Sequence, residues 1–355
     1  AQYQGGEMTI DVTYTLAADR QFAEKQIVLT CNRPYGLKKV VLSRPTFSVA
    51  GLRMIAYRYP KFGRKPGEEP TCTFFGRTAQ GGFFTGVEVP FDASSLDGQQ
   101  VTLCYVPSLK VAAGEKLACE PAYFGVYRRD PGDEEKKDLP LWSESEAMVA
   151  MSSAVLGPFR FGLVPMACGW HCEMQHGTYT EQSVAGDMKS LDFLAECGID
   201  WVSDCHPWGG ETAKMNALGA DDKYTPGPLV RKFLEHAQKV GVKVVMWSSM
   251  NNTHAWGGGK PFRADKPEWW MTPLRNANCM GCKPFWEWLV RINLDGMATG
   301  YYKSWAMDGD FFGGGGWYTT VVPVKCPSDK HDHLPGDSNY ACQKGLERLT
   351  ASVRE

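Results

Sequence analysis

The chain has 355 residues, 43% hydrophobic and 22% charged, with 38 Lys and Arg against 40 Asp and Glu for a net charge of -2. With a mean hydropathy of -0.32, this excludes a disordered, collagenous or disulfide-stapled small protein. The near-neutral balance provides no bulk field for nucleic acid or an anionic membrane, and no apolar run reaches the roughly 18 residues of a spanning helix. The first residues, Ala1-Gln2-Tyr3-Gln4, lack an initiator Met and an apolar signal core. Removal of a secretory leader leaves such a start, so the expected location is secreted, periplasmic or cell-surface, although a trimmed chain would begin the same way. The twelve Cys follow no repeating spacing, and several sit in apolar runs, as Cys104 does in Val101–Val106. Free Cys behaves there as a small hydrophobe, so few or no disulfides are expected.

The two halves of the chain differ. Eleven of the twelve Trp and all seven His follow residue 160. Before it, Met8–Leu16 alternates with period two, and similar short runs occur at Gln26–Thr30, Lys39–Leu42, Arg53–Tyr59, Phe83–Val89, Val101–Val106 and Tyr123–Tyr127. Turn formers such as Lys65-Pro66-Gly67 and Asp97-Gly98 separate them. The pattern predicts an antiparallel β-sandwich over residues 1–150, with the charged stretch 131–147 as a polar connector.

Residues 151–355 alternate strand and helix. The predicted strands are Phe161–Cys168, Ile199–Asp204, Val242–Ser248 and Tyr301–Asp308. The first predicted helix opens at Thr178 with Glu181 three residues on, a capping-box spacing, carries Val184, Met188, Leu191 and Leu194, and stops at Gly198. Later helices start near Thr225-Pro226, Pro284 and Asn339. Four βα units in series with long loops after the strands predict the first half of a (β/α)8 barrel. A doubly wound sheet is the competitor, but no Gly-x-Gly-x-x-Gly turn follows the first strand. A full barrel takes about 250 residues. The four units therefore lead to the expectation of further chain, a completing polypeptide or a homo-oligomer.

Barrel enzymes place their chemistry at the C-terminal ends of strands. Those ends read Gly169-Trp170-His171-Cys172, Asp204-Cys205-His206-Pro207-Trp208, Trp247-Ser248-Ser249 and Asp308-Gly309-Asp310. Indoles for stacking, with carboxylates and hydrogen-bonding groups for hydroxyls, suit a carbohydrate substrate. Paired carboxylates also suit glycoside hydrolysis.

These strand ends resemble those of glycoside hydrolase families 27 and 36 of clan D, the α-galactosidase and α-N-acetylgalactosaminidase group. The matching stretches are Pro165–Cys172, Ser203–Trp208, Gly241–Trp247 and Tyr302–Phe312. The resemblance implies a retaining α-glycosidase without a cofactor, active on α-galactosides or related α-N-acetylgalactosaminides and galactosaminides. It implies Asp308 as nucleophile, with Asp310 in reserve. The candidate sugar contacts are Asp204, Trp170, His171, His206, Trp208, Trp247, Lys303 and Trp305, with Lys303 turned to the face opposite Asp308 unless the strand bulges. Two positions depart from the family pattern: Ala306 stands where the family has a sugar-binding Lys, and Ser203 replaces the first of two Asp. The family's acid/base carboxyl lies at the sixth strand, which has no counterpart among the four strands read here.

Two other functions compete. Ala306 favours a carbohydrate-binding homologue that has lost catalysis, and the His and Cys loops suit a metal-dependent hydrolase. Cys279-Met280-Gly281-Cys282 has the gap of a zinc knuckle, but no second pair follows at the usual spacing. Cys168, His171, Cys172 and His176 also cluster in sequence, while Lys330–His333 reads as a solvated loop. No metal is assigned from the sequence. Gly313–Gly316 is not a phosphate cradle, because Trp317-Tyr318-Thr319-Thr320 follows in place of Lys-Ser/Thr.

Overall fold

The computed structural model describes residues 2–58, 71–87, 94–135, 140–156, 166–168, 180–204, 214–215, 217–219, 221–249, 262–271, 278–308, 325–337 and 339–354. The chain divides into two units, Ala1–Phe161 and Gly162–Glu355.

The strands of the first unit are β1 (Gln2–Gly5), β2 (Met8–Leu16), β3 (Phe22–Cys31), β4 (Tyr35–Leu37), β5 (Val40–Ser43), β6 (Arg53–Arg58), β7 (Thr71–Arg77), β8 (Gly81–Val87), β9 (Ser95–Asp97), β10 (Gln100–Tyr105), β11 (Leu109–Val111), β12 (Lys116–Ala118) and β13 (Ala122–Arg128). The large sheet runs β1-β2-β3-β13-β8-β7-β6, with β12 on β3, beside smaller sheets β5-β10-β9 and β11-β4. Every pairing is antiparallel. Alternation explains the buried faces: β3 buries Ile27, Leu29 and Cys31 and half-exposes Val28 and Thr30. In β10 the register against β5 shifts between Leu103 and Cys104. That irregularity accompanies burial of the consecutive residues Leu103, Cys104 and Tyr105. The three-residue strands β4, β9, β11 and β12 were not expected, because so short a run shows no period; nor was β7, whose adjacent Phe74 and Phe75 hide the alternation.

The connector expected at 131–147 is overturned at its C-terminal end. Helix α1 (Trp142–Leu156) begins inside it. Ala147, Met148, Met151, Ala154 and Val155 recur at helical spacing and pack on Phe22, Phe75, Phe84, Tyr123 and Tyr127 of the large sheet. Its first turn is anchored by Glu144, whose carboxylate accepts from Arg77 Nε at 2.5 Å and Nη2 at 2.6 Å. The same carboxylate accepts from Tyr127 Oη at 2.9 Å and the Leu141 backbone N–H at 2.9 Å. The helix therefore belongs with the sheet before it.

The second unit holds a parallel sheet in chain order: β14 (Met166–Cys168), β15 (Trp201–Asp204), β16 (Lys243–Ser249) and β17 (Tyr302–Asp308). Helices α2 (Glu181–Glu196), α3 (Pro228–Val240) and α4 (Lys283–Ala298) connect consecutive strands, and α5 (Asn339–Arg354) follows β17. Parallel neighbours need such crossovers. The cap of α2 differs from the expectation. Thr180, not Thr178, is the N-cap; Ser183 N–H donates to Thr180 Oγ1 at 3.1 Å, and Thr180 N–H donates to Ser183 Oγ at 3.0 Å. The short Ser hydroxyl fills the place that the sequence reading gave to a carboxylate. A Cβ on Gly296 of α4 would lie 2.7 Å from Met246 Sδ of β16, so helix and strand approach closely on the Met246 side of the sheet. No helix among the described residues is long and apolar enough to cross a membrane.

Candidate functional site

The C-terminal edge of the parallel sheet carries the residues that the sequence singles out. Asp308 is the last residue of β17 and pairs with Ser249; Trp247 pairs with Ala306. Asp204 is the last residue of β15 and pairs with Met246. Alternation groups Ser304, Ala306 and Asp308 with Val245, Trp247 and Ser249. Ser203 pairs with Val245 and joins that set, whereas Asp204 and Trp305 share the register of Met246. One strand lies between Asp204 and Asp308, and their partners on it are three residues apart. At about 4.8 Å per strand and about 3.3 Å per residue, their Cα atoms are about 14 Å apart.

Two of the expected sugar contacts, Lys303 and Trp305, take other places in the register. Lys303 is the extra residue where β17 shifts register, since Val244 pairs with Tyr302 and Val245 with Ser304. Lys303 is exposed, and its Nζ donates to Gly300 O at 2.9 Å. That is the N-terminal end of the strand, about 16 Å from Asp308, too far to replace the family Lys. Trp305 shares the register of Met246, on the side covered by α4, because the pleat alternates faces. Within the strand it therefore lies on the face opposite to that of Ala306 and Asp308. Trp170, His171, His206, Trp208 and Asp310 lie outside the described residues, as do Cys172, His176 and Gly313–Gly316. Other Trp side chains build core: Trp269 and Trp288 lie 6.1 Å apart, in contact with Phe285.

A second constellation was missed. In the loop expected to be solvated, Lys330 and Asp332 are exposed, but His331 and His333 between and beside them are buried, at 3% and 0% exposed. Their rings lie beside Cys279 and Cys326, both fully buried, with the four donor atoms all within 4.8 Å of one another. Cys279 belongs to the turn before α4, where Cys282 N–H donates to Cys279 O at 2.9 Å. Cys326 sits in the short hairpin of β18 (Lys325–Cys326) and β19 (Gly336–Asp337), which carries both His in its loop. Cys279 Sγ lies 3.4 Å from His333 Nε2 and 3.9 Å from Cys342 Sγ of α5; Cys326 Sγ lies 3.3 Å from His331 Nδ1. The turn fits closely against its neighbours. A Cβ on Gly281 would sit 2.8 Å from His333 Cδ2, and one on Gly345 of α5 would sit 1.9 Å from Met280 O.

Hydrogen bonding sorts the protons in this cluster. Burial pushes the Cys279 thiol well above its ordinary range. The hydrogen bond with Cys279, then those with His331 and His333, outweigh burial at Cys326 and pull it far down toward thiolate. Burial opposes charge on His331, but hydrogen bonds to Cys282 and Cys326 carry it up to about 10. The sequence signal was incomplete, because Cys279 and Cys326 are brought together from distant loops with no CxxC…CxxC spacing.

No protein-family model matches the sequence, and no curated protein matches it. Among solved structures, an α-N-acetylgalactosaminidase, NagBb from Bifidobacterium bifidum, is similar at 12% identity and a TM-score of 0.44, over 99% of this chain and 66% of that one. A glycoside hydrolase family 97 enzyme from Pseudoalteromonas sp. strain K8 is similar at 9% identity and a TM-score of 0.42, over 99% and 55%. A cycloalternan-degrading enzyme from Trueperella pyogenes is similar at 10% identity and a TM-score of 0.43, over 99% and 52%. The chain thus spans between about half and two thirds of the length of these structures.

Proposed function

We propose that the chain carries the nucleophile of a retaining α-glycoside hydrolase acting on α-galactosides or related α-N-acetylgalactosaminides and galactosaminides. In this reading the second unit is part of a (β/α)8 barrel and the substrate is a carbohydrate. The observation that carries it is the position of Asp308 as the last residue of the fourth parallel strand. Strand C-termini are where barrel active sites form, and the family resemblance puts the nucleophile at this one.

The ionised Asp308 attacks the anomeric carbon, forming a glycosyl–carboxylate bond as the bond to the leaving oxygen breaks. A second carboxyl protonates that oxygen; it then takes a proton from the water that releases the sugar. Retaining pairs hold their carboxyls about 5–5.5 Å apart. Asp204, with its Cα about 14 Å from that of Asp308, is too distant for this second carboxyl. Asp204 is the last residue of β15, where the chain leaves the sheet, and its proposed role is to accept hydrogen bonds from sugar hydroxyls there. Trp247, in the same alternating set as Asp308, is the proposed stacking surface.

The test treats the intact native protein with a fluorinated α-galactosyl fluoride that traps the glycosyl-enzyme, then locates the adduct by peptide mass spectrometry. The expected adduct is on Asp308. An adduct on Asp310, or aryl α-galactoside hydrolysis that survives Asp308→Ala, overturns the assignment. Ala306, in the position of the family Lys, favours a second reading as a sugar-binding homologue. Binding of α-galactosides with neither hydrolysis nor adduct would support that one.

A further inference from the structure

We propose that Cys279, Cys326, His331 and His333 bind one structural zinc ion that ties the loop before α4 to the hairpin loop before α5. Tetrahedral zinc, with bonds of about 2.3 Å to sulfur and about 2.0–2.1 Å to nitrogen, sets its ligand atoms about 3.4–3.8 Å apart. Cys279 Sγ to His333 Nε2 is 3.4 Å and Cys326 Sγ to His331 Nδ1 is 3.3 Å. All four donors lie within 4.8 Å of one another, so contraction of a few tenths of an ångström to about 1 Å closes the shell.

The surroundings of the imidazoles match this role. His331 Nε2 is 2.7 Å from the Glu268 carbonyl, and His333 Nδ1 is 2.8 Å from the Leu334 carbonyl. A carbonyl can only accept, so each of these nitrogens carries the proton. With the ion bound, the opposite nitrogen of each ring gives up any proton and turns its lone pair to the metal. That outer-shell pattern orients metal-binding His in general. Burial supplies the energetic reason. Two thiols and two imidazoles withdrawn from water around one point suit a shared cation, and a divalent cation with two thiolates leaves a neutral centre.

Four protein ligands leave no open coordination position, so the ion is structural, not hydrolytic. It joins residues 279 and 326, far apart in sequence, next to the starts of α4 and α5. In βα units, helices start at the C-terminal ends of the strands, so the centre braces the two loops on the Asp308 side of the sheet. The Cys342 thiol, 3.9 Å from Cys279, is not among the four donors that all lie within 4.8 Å of one another. This inference does not depend on the glycosidase reading.

The test is metal analysis of the intact protein purified without chelators, followed by replacement of the ion with Co2+. One zinc per chain is expected, with a tetrahedral cobalt spectrum containing thiolate-to-metal charge-transfer bands. His333→Ala and Cys326→Ser should lose the ion, and Cys342→Ser should keep it. The wild-type cobalt spectrum decides the matter even where a ligand variant fails to fold. No bound zinc or cobalt, iron with inorganic sulfide, or a Cys279–Cys342 disulfide in the intact mass would overturn the site. Loss of zinc on Cys342→Ser with retention on His331→Ala would overturn this ligand set.

Discussion

Replacing Glu144 by Gln removes one charge and almost no volume, which isolates the buried ion pair that holds α1 to the large sheet. Glu144 is 0% exposed and Arg77 5%. Arg77 Nε and Nη2 donate to this one carboxylate at 2.5 and 2.6 Å. Burial, with Glu144 beside it, raises the Tyr127 phenol well above its usual range, so it stays protonated and donates. The variant replaces the carboxylate against the buried guanidinium by a neutral amide, a loss of about 3–5 kcal/mol. For a unit of this size, 1 kcal/mol moves Tm by about 2–4 °C, so the expected drop is about 6–20 °C. Calorimetry or denaturant unfolding of the whole protein reads it as an earlier transition of the first unit. The double variant Arg77→Met with Glu144→Leu restores much of the loss, because apolar groups of similar volume replace such pairs at little cost. A loss below about 1 kcal/mol for Glu144→Gln, the range of an exposed pair, would refute the reasoning. So would a double variant as unstable as the single one.

Two other outcomes are expected. Asp204→Asn should raise KM for an aryl α-galactoside about 10- to 100-fold with a smaller change in kcat, as loss of charged hydrogen bonds worth about 1.5–3 kcal/mol requires; an unchanged KM would remove Asp204 from the site. Gly345→Ala places a methyl 1.9 Å from Met280 O, and the forced shift should cost about 1–3 kcal/mol. Amide hydrogen exchange in α5 should rise; protection equal to wild type would show that the helix does not bear on the Cys279–Cys282 turn.

Much of the local structure is readable from the residues. The period-two run at Met8–Leu16 is a strand, and the stripe of Val230, Phe233, Leu234 and Ala237 is the buried face of α3. The four parallel strands also emerge in chain order, because apolar runs and amphipathic stripes alternate clearly after residue 160. In α1 the residues that pack on the sheet follow helical spacing, but apolar residues such as Val149 on its exposed side blur the stripe, and the charges before it favour a connector. Glu144 is one of those charges, and only the distant Arg77 makes it a buried one.

The site divides in the same way. Local sequence placed Asp308 and Asp204 at strand ends, since a strand's last residue follows from its own pattern and the turn formers after it. Pairing between strands decided the rest. The register of β17 against β16 set Lys303 out as an extra, exposed residue and gave Trp305 the position of Met246. The extra residue at Lys303 is not contained in β17 alone, whereas the alternation of Trp305 with Asp308 is. The thiol–imidazole cluster is the extreme case. Sequence determined that Cys279, Cys326, His331 and His333 are available as donors. Only the folding of two loops against each other decided that they meet, because burial and donor-to-donor distance are properties of packing and not of spacing along a chain.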